Sequence, residues 1–205
     1  MRAKLMPAMC KNSLPLYANL LEADYTQVPA LSLDELRNFT YSTIEKWEEG
    51  NCLSAADLTA ALEFIKYNIP LAGIKYLDNQ EIPICYFSKV IPKSAEVLQS
   101  LLQIEGIKSY QMPILQKPDG SLDLKLDDRH KILIVTIPQY NHLNSFKNFL
   151  QVMQPKKLTI LAGGNVFYLK PSLKLNFGSC IFPENIKDII WLINKINPSA
   201  SEEKV

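Results

Sequence analysis

The chain has 205 residues, 47% of them hydrophobic and 21% charged, with a formal net charge of +1. That length supports one sizeable core and a small satellite domain, and the near-neutral balance excludes a polybasic nucleic-acid tail or an acidic solvating one. No stretch approaches the ~18 apolar residues of a membrane span, so a cytoplasmic protein with no membrane partner is expected.

Residues 1–30 hold an apolar cluster, Leu14, Leu16, Tyr17, Leu20 and Leu21, broken up by Pro7, Pro15 and Pro29, which predicts a partly ordered arm. The basic start gives way to Lys11, Asn12 and Pro15 rather than to a signal-peptide core. Cys10, Cys52, Cys85 and Cys180 stand far apart with no C-x-x-C spacing, so reduced thiols and no metal site are expected.

From residue 31 the pattern is helical. Ser32 is placed to cap a helix with Leu33, Leu36 and Phe39 on one face and Asp34 and Glu35 in its first turn. Thr40 or Ser42 then reads as the opening of a second helix, Thr43–Glu49, with Ile44 and Trp47 inward and Tyr41, Ser42, Glu45 and Lys46 outward. Helix, tight turn and helix at these lengths is the arrangement of a helix-turn-helix.

Thr43-Ile44-Glu45-Lys46-Trp47-Glu48-Glu49-Gly50 resembles the T-I-R-x-W/Y-E-x-G of MerR-type DNA-binding domains, and Ser54-Ala55-Ala56-Asp57-Leu58 resembles the T-x-x-D-L that opens their third helix. Leu62, Phe64, Ile65 and the run Ile69-Pro70-Leu71-Ala72-Gly73-Ile74 continue the likeness. The resemblance implies a DNA-binding module over residues 31–77 with Arg37, Tyr41, Ser42 and Lys46 nearest the duplex. It departs from the family in two ways. Only Asn51, Cys52 and Leu53 separate Gly50 from Ser54, so the basic wing is missing, and residues 31–77 carry four Lys and Arg against seven Asp and Glu, whereas affinity for duplex comes largely from cations on phosphates.

Beyond residue 80 strands and helices alternate. Ile82–Phe87 reads as a buried strand, Ser94–Glu105 as an amphipathic helix ended by Gly106, and Ile107–Leu115 as a strand. A turn at Pro118-Asp119-Gly120 leads into an alternating Leu122–Leu126 segment, giving an edge hairpin. Lys131–Ile137 is the clearest central strand, apolar on both faces. Then come helix Leu143–Met153, strand Leu158–Ala162, the Gly163-Gly164 break, a weak segment Phe167–Leu169, strand Ser179–Phe182, helix Glu184–Ile196 and a disordered tail from 198 to 205. The fold class expected is α/β: a small helical module, then a flavodoxin-like parallel sheet over residues 80–197 with helices on both faces.

In such sheets ligands sit beyond the carboxyl ends of the strands, which gathers Thr136, Pro138, Gly163, Gly164 and Asn165 around one crevice. The order I-V-T-I-P, helix, L-T-I-L-A-G-G and F-G-S-C-I-F-P-E-N-I-K-D-I-I-W-L-I is similar to the C-terminal half of cobalamin-binding domains. The resemblance implies that Thr136, Gly163 and Gly164 match positions that accommodate the nucleotide tail. The family's cobalt-ligating D-x-H-x-x-G loop is replaced by Ser88-Lys89-Val90-Ile91-Pro92-Lys93, so no cofactor is expected. The crevice is expected to be filled by the chain's own Phe167 and Tyr140.

His142 can be imagined beside Cys85, or with Asp128 and Ser145, but no nucleophile-elbow motif accompanies it and no enzyme is expected. The scattered lysines from Lys156 to Lys195 read as solvated surface. Two functions stay open. One is a transcriptional regulator binding double-stranded DNA as a homodimer, its sheet domain serving dimerisation or sensing. The other is a sensory or protein-interaction adaptor that has lost DNA binding and acts on a protein partner.

Overall fold

Two serines start the two helices of the N-terminal unit. Ser32 Oγ accepts from the Glu35 amide while the Glu35 carboxylate accepts from the Ser32 amide at 2.9 Å, a complete capping box ahead of α1, Leu33–Glu48. Ser54 and Asp57 repeat the device ahead of α2, Ala55–Asn68. The computed structural model describes residues 30–49, 53–77, 81–117, 121–123, 126, 129–156 and 158–196; the expected arm (but for residue 30) and tail lie outside these. The chain divides between Ile74 and Lys75 into two compact units.

α1 corrects the expected helix-turn-helix. Residues 33–48 form one uninterrupted helix, with no turn between Phe39 and Thr43. Thr40, one of the two hydroxyls read as a cap, points backward instead, its Oγ1 donating to the Leu36 carbonyl at 2.8 Å, and Thr43 Oγ1 likewise donates to the Phe39 carbonyl at 2.9 Å. Satisfied inside the helix, they join Leu36 and Ile44 on its buried stripe. Phe39 meets Phe64 of α2 edge-on at 5.3 Å between ring centres. At the far end of α2 the buried Asn68 donates to the Phe64 carbonyl and accepts from the Leu31 amide, tying the residue ahead of the α1 cap to the end of α2.

The second unit is built on four parallel strands, β1 (Ile82–Tyr86), β2 (Ser109–Pro113), β5 (Ile132–Thr136) and β6 (Thr159–Gly163), in the order β2-β1-β5-β6. β1 and β5 are buried at every position, as strands apolar on both faces must be in a sheet covered on both sides. α3 (Lys93–Ile104) connects β1 to β2 and packs on both. It ends where expected, at Gly106: φ is +73°, the Gly106 amide bonds the Gln103 carbonyl and the Ile107 amide bonds that of Leu102, a Schellman closure.

The connection from β2 to β5 carries a two-stranded antiparallel hairpin, β3 (Leu115–Gln116) with β4 (Leu122–Asp123), where a crossover helix is usual. Its Leu122, with Leu126, packs into the core of that face. α4 (Leu143–Met153) then covers the same face with Phe146, Phe149 and Met153. The residues that alternate with this core along β1 and β5, from Ile82 to Tyr86 and Ile132 to Thr136, are equally buried, on the face where α3 packs.

Two expected segments change. The Phe167–Leu169 segment belongs to a short helix, α5 (Asn165–Leu169), which buries Val166 and Phe167 and runs into a 3-10 stretch, Pro171–Phe177. The expected strand Ser179–Phe182 contracts to one parallel bridge, Ile181 against Leu161, held by Ile181 N–H to Ile160 O at 2.9 Å and Ala162 N–H to Ile181 O at 2.8 Å. The strand Ile107–Leu115 is likewise shorter, because the chain bends at Ile114 into the hairpin. α6, Ile186–Ile196, is the last element among the described residues.

Candidate functional site

The sheet reverses its winding between β1 and β5, the place where parallel α/β sheets commonly bind ligands beyond the carboxyl ends of their strands. On one face of this rim the register sets Tyr86, Thr136 and Gly163 in a row across β1, β5 and β6. Thr136 is 2% exposed, and its Oγ1 is buried with no hydrogen-bond partner. A Cβ built on Gly163 would meet nothing within 4 Å. The buried Tyr86 phenol occupies the β1 end of the row, with its pKa raised by burial.

Gly164 has a different task. Its φ is +125°, and a Cβ there would stand 2.4 Å from the Ile137 carbonyl oxygen. The glycine therefore lets the turn after β6 lie against the end of β5, and this packing, not ligand room, explains it. Pro138 is half-buried and Asn165 exposed at the start of α5. The expected plugs divide. Phe167 is buried on the opposite face, against Phe146, Phe177 and Phe182, and leaves the Thr136 row alone. Tyr140 is 50% exposed and fills nothing.

Two further orphan polar atoms lie near the rim: Ser94 Oγ at the start of α3 and His142 Nδ1 at the start of α4. Sequence reasoning passed over Ser94. His142 lies 6.3 Å from Phe87 between ring centres, and burial lowers its pKa. Cys85 is wholly buried and its thiol is pushed far above the ordinary range, which removes it as a nucleophile beside His142; Asp128 lies outside the described residues. No cluster of three or more metal-ligating side chains exists among the described residues. None of their helices is long and apolar enough to cross a membrane.

The loop where the resemblance would place a cobalt ligand is closed on itself, with the Ser88 hydroxyl donating to the Val90 carbonyl. It holds no histidine.

The DNA-facing set is not brought together. In one continuous helix Arg37 and Lys46 are nine residues, about two and a half turns, apart and so on opposite sides, with Ser42 nearer Lys46 and Tyr41 nearer Arg37. Arg37 is paired with Asp34 at 3.5 Å.

No family model and no curated protein matches the sequence. Solved structures do. A cobalamin-binding protein from Desulfitobacterium hafniense DCB-2 is 12% identical, with a TM-score of 0.49 over 92% of this chain and 94% of that one. The methanol:cobalamin methyltransferase complex MtaBC from Methanosarcina barkeri is 13% identical to this chain, with a TM-score of 0.50 over 96% of this chain and 86% of that one. The second likeness shows a flavodoxin-like α/β fold of the kind found in cobalamin-binding proteins. Its coverage is too wide to leave out the helical N-terminal part.

Proposed function

We propose that this chain is a non-enzymatic sensory or interaction adaptor, built on a cobalamin-domain type of sheet, that acts on a protein partner and not on DNA. The observation that carries this reading is the unbroken helix 33–48. A recognition helix must stand free at the end of a turn to enter the major groove, and here its residues are the second half of a core helix whose Thr40 and Thr43 are buried. The acidic balance of residues 31–77 points the same way. A solved neighbour, the methanol:cobalamin methyltransferase complex, gives the partner reading a precedent in this fold.

The sensory half rests on the Thr136 row. A buried hydroxyl without a partner costs about 1–3 kcal/mol, and open space at Gly163 beside it is what a ligand tail would use. Cobalamin held through a histidine on cobalt does not fit these residues, because the 88–93 loop has no histidine to offer. What fits is the tail end of such a ligand, or a smaller molecule of like chemistry.

Electrophoretic retardation on genomic fragments at low and moderate salt tests the reading. The expected result is no sequence-selective shift at either salt; a salt-steep, selective shift would restore the DNA-binding regulator. Thermal scans with added cobalamins test the sensor, with stabilisation that Gly163→Leu removes as the expected result and no stabilisation as the refutation.

A further inference from the structure

Between residues 129 and 183 the chain carries seven Lys and Arg and not one Asp or Glu. This run supplies β5, α4, β6, α5 and the 3-10 stretch, whose buried side chains Phe146, Phe149, Val166, Phe167 and Phe177 all enter one core on one face of the sheet. The helices on that face therefore bear cations and no acid, while the hairpin packed on the same core brings Asp123. Lys147 on α4 and Lys170 after α5 are exposed, and Lys174 half-exposed. The other helices of this unit are of mixed sign, with Glu96 on α3 and Asp188 on α6.

Apolar side chains stand out of the same surface: Tyr168 is 82% exposed, Leu169 72% and Leu175 85%. Large apolar groups left in water at that density mark an interaction surface. They gain nothing against phosphates but bury well against an amphipathic protein face, so a protein occupant is favoured over nucleic acid. The N-terminal unit bears a surface of matching chemistry. α1 exposes Asp34, Glu45 and Glu48 along one side, with the half-exposed Tyr41 among them and Arg37 beside them, paired with Asp34.

We infer that the basic, apolar flank formed by α4, α5 and the 3-10 stretch is a self-association surface that receives the acidic α1 of a second copy of this chain. Two such contacts related by a twofold axis close a dimer. This deepens the adaptor reading by naming a partner, and it fails separately from it: a strictly monomeric protein that ignores DNA sinks only the self-association.

Sedimentation equilibrium of the full chain at about 0.02 M and about 0.5 M salt reads the contact, since the Debye length shrinks several-fold over that range. Association at low salt, weakened at least about tenfold at high salt, is the expected result. The exposed double variant K147E/K170E should weaken it by about tenfold or more, as should E45K/E48K, and mixing the two variants should restore association between them. Thermal midpoints within a few degrees of the parent establish that each variant is folded. A monomer at every salt overturns the inference, as do association indifferent to both double variants and a mixture that stays apart. A duplex-DNA shift abolished by K147E/K170E would overturn it in favour of nucleic acid.

Discussion

Thr43 Oγ1 donates to the Phe39 carbonyl at 2.9 Å, across the point where a turn would have to interrupt α1. Were Thr43 the first residue of a separate helix, Phe39 would lie outside that helix and its carbonyl would not stand one turn behind the hydroxyl. Its direction decides between a two-helix reader of DNA and a single core helix.

Thr43→Pro turns that relationship into a stability measurement. At the first position of a separate helix proline is tolerated, because its missing amide was unpaired anyway. Within a continuous helix it removes a hydrogen bond and clashes with the carbonyl four residues back, at about 3 kcal/mol or more. Urea unfolding should show the larger loss. A cost well under 1 kcal/mol would bring back the turn.

The two glycines after β6 should separate sharply. Gly164→Ala demands a backbone conformation that is essentially glycine's own, at about 1–3 kcal/mol, and drives a methyl into the Ile137 carbonyl besides. Gly163→Ala meets open space and an ordinary φ, so its thermal midpoint should stay near that of the parent. Equal destabilisation by both would mean that the end of β5 does not pack on Gly164.

Thr136→Val keeps the shape and deletes a buried hydroxyl that has no partner. Removing an unpaired polar group should stabilise the unliganded protein by about 1 kcal/mol, read by urea unfolding. If the substitution destabilises by that amount, the hydroxyl is satisfied in solution and the sensory reading loses its basis.

The sheet was the legible part of this chain, because apolar runs such as IPICY and ILIVT have no other place than between two layers, and α4 falls on Leu143–Met153 as its periodicity requires. Thr40 misled because a hydroxyl beside the backbone can cap forward or bond backward, and only the tertiary demand to bury Leu36 and Ile44 on one stripe selects the second. Ile181 kept a single bridge because Gly178 precedes its short run and Pro183 follows it. The crevice positions followed from topology alone, yet whether Thr136 finds a partner or Phe167 reaches the row depends on the pleat, which puts the two on opposite faces. The basic flank stayed hidden while charge was averaged over the whole C-terminal unit, since acids before residue 129 and after 183 cancel it.

His142 gives the fold a pH dependence whose sign is fixed. Burial lowers its pKa below the ordinary histidine value, which the unfolded chain retains. Between the two values the unfolded state binds more protons, so stability falls as pH drops through the ordinary histidine range and levels off below the lowered value. His142 comes from the stretch without Asp or Glu, so no carboxylate within that stretch titrates alongside it. Thermal midpoints from pH 8 down to pH 5 should therefore decline more for the parent than for His142→Asn, which keeps a polar group at the start of α4 but carries no titratable ring. Parallel profiles for the two proteins would show that the imidazole is solvated in both states and that its Nδ1 is not the buried, unpartnered atom seen beside Phe87.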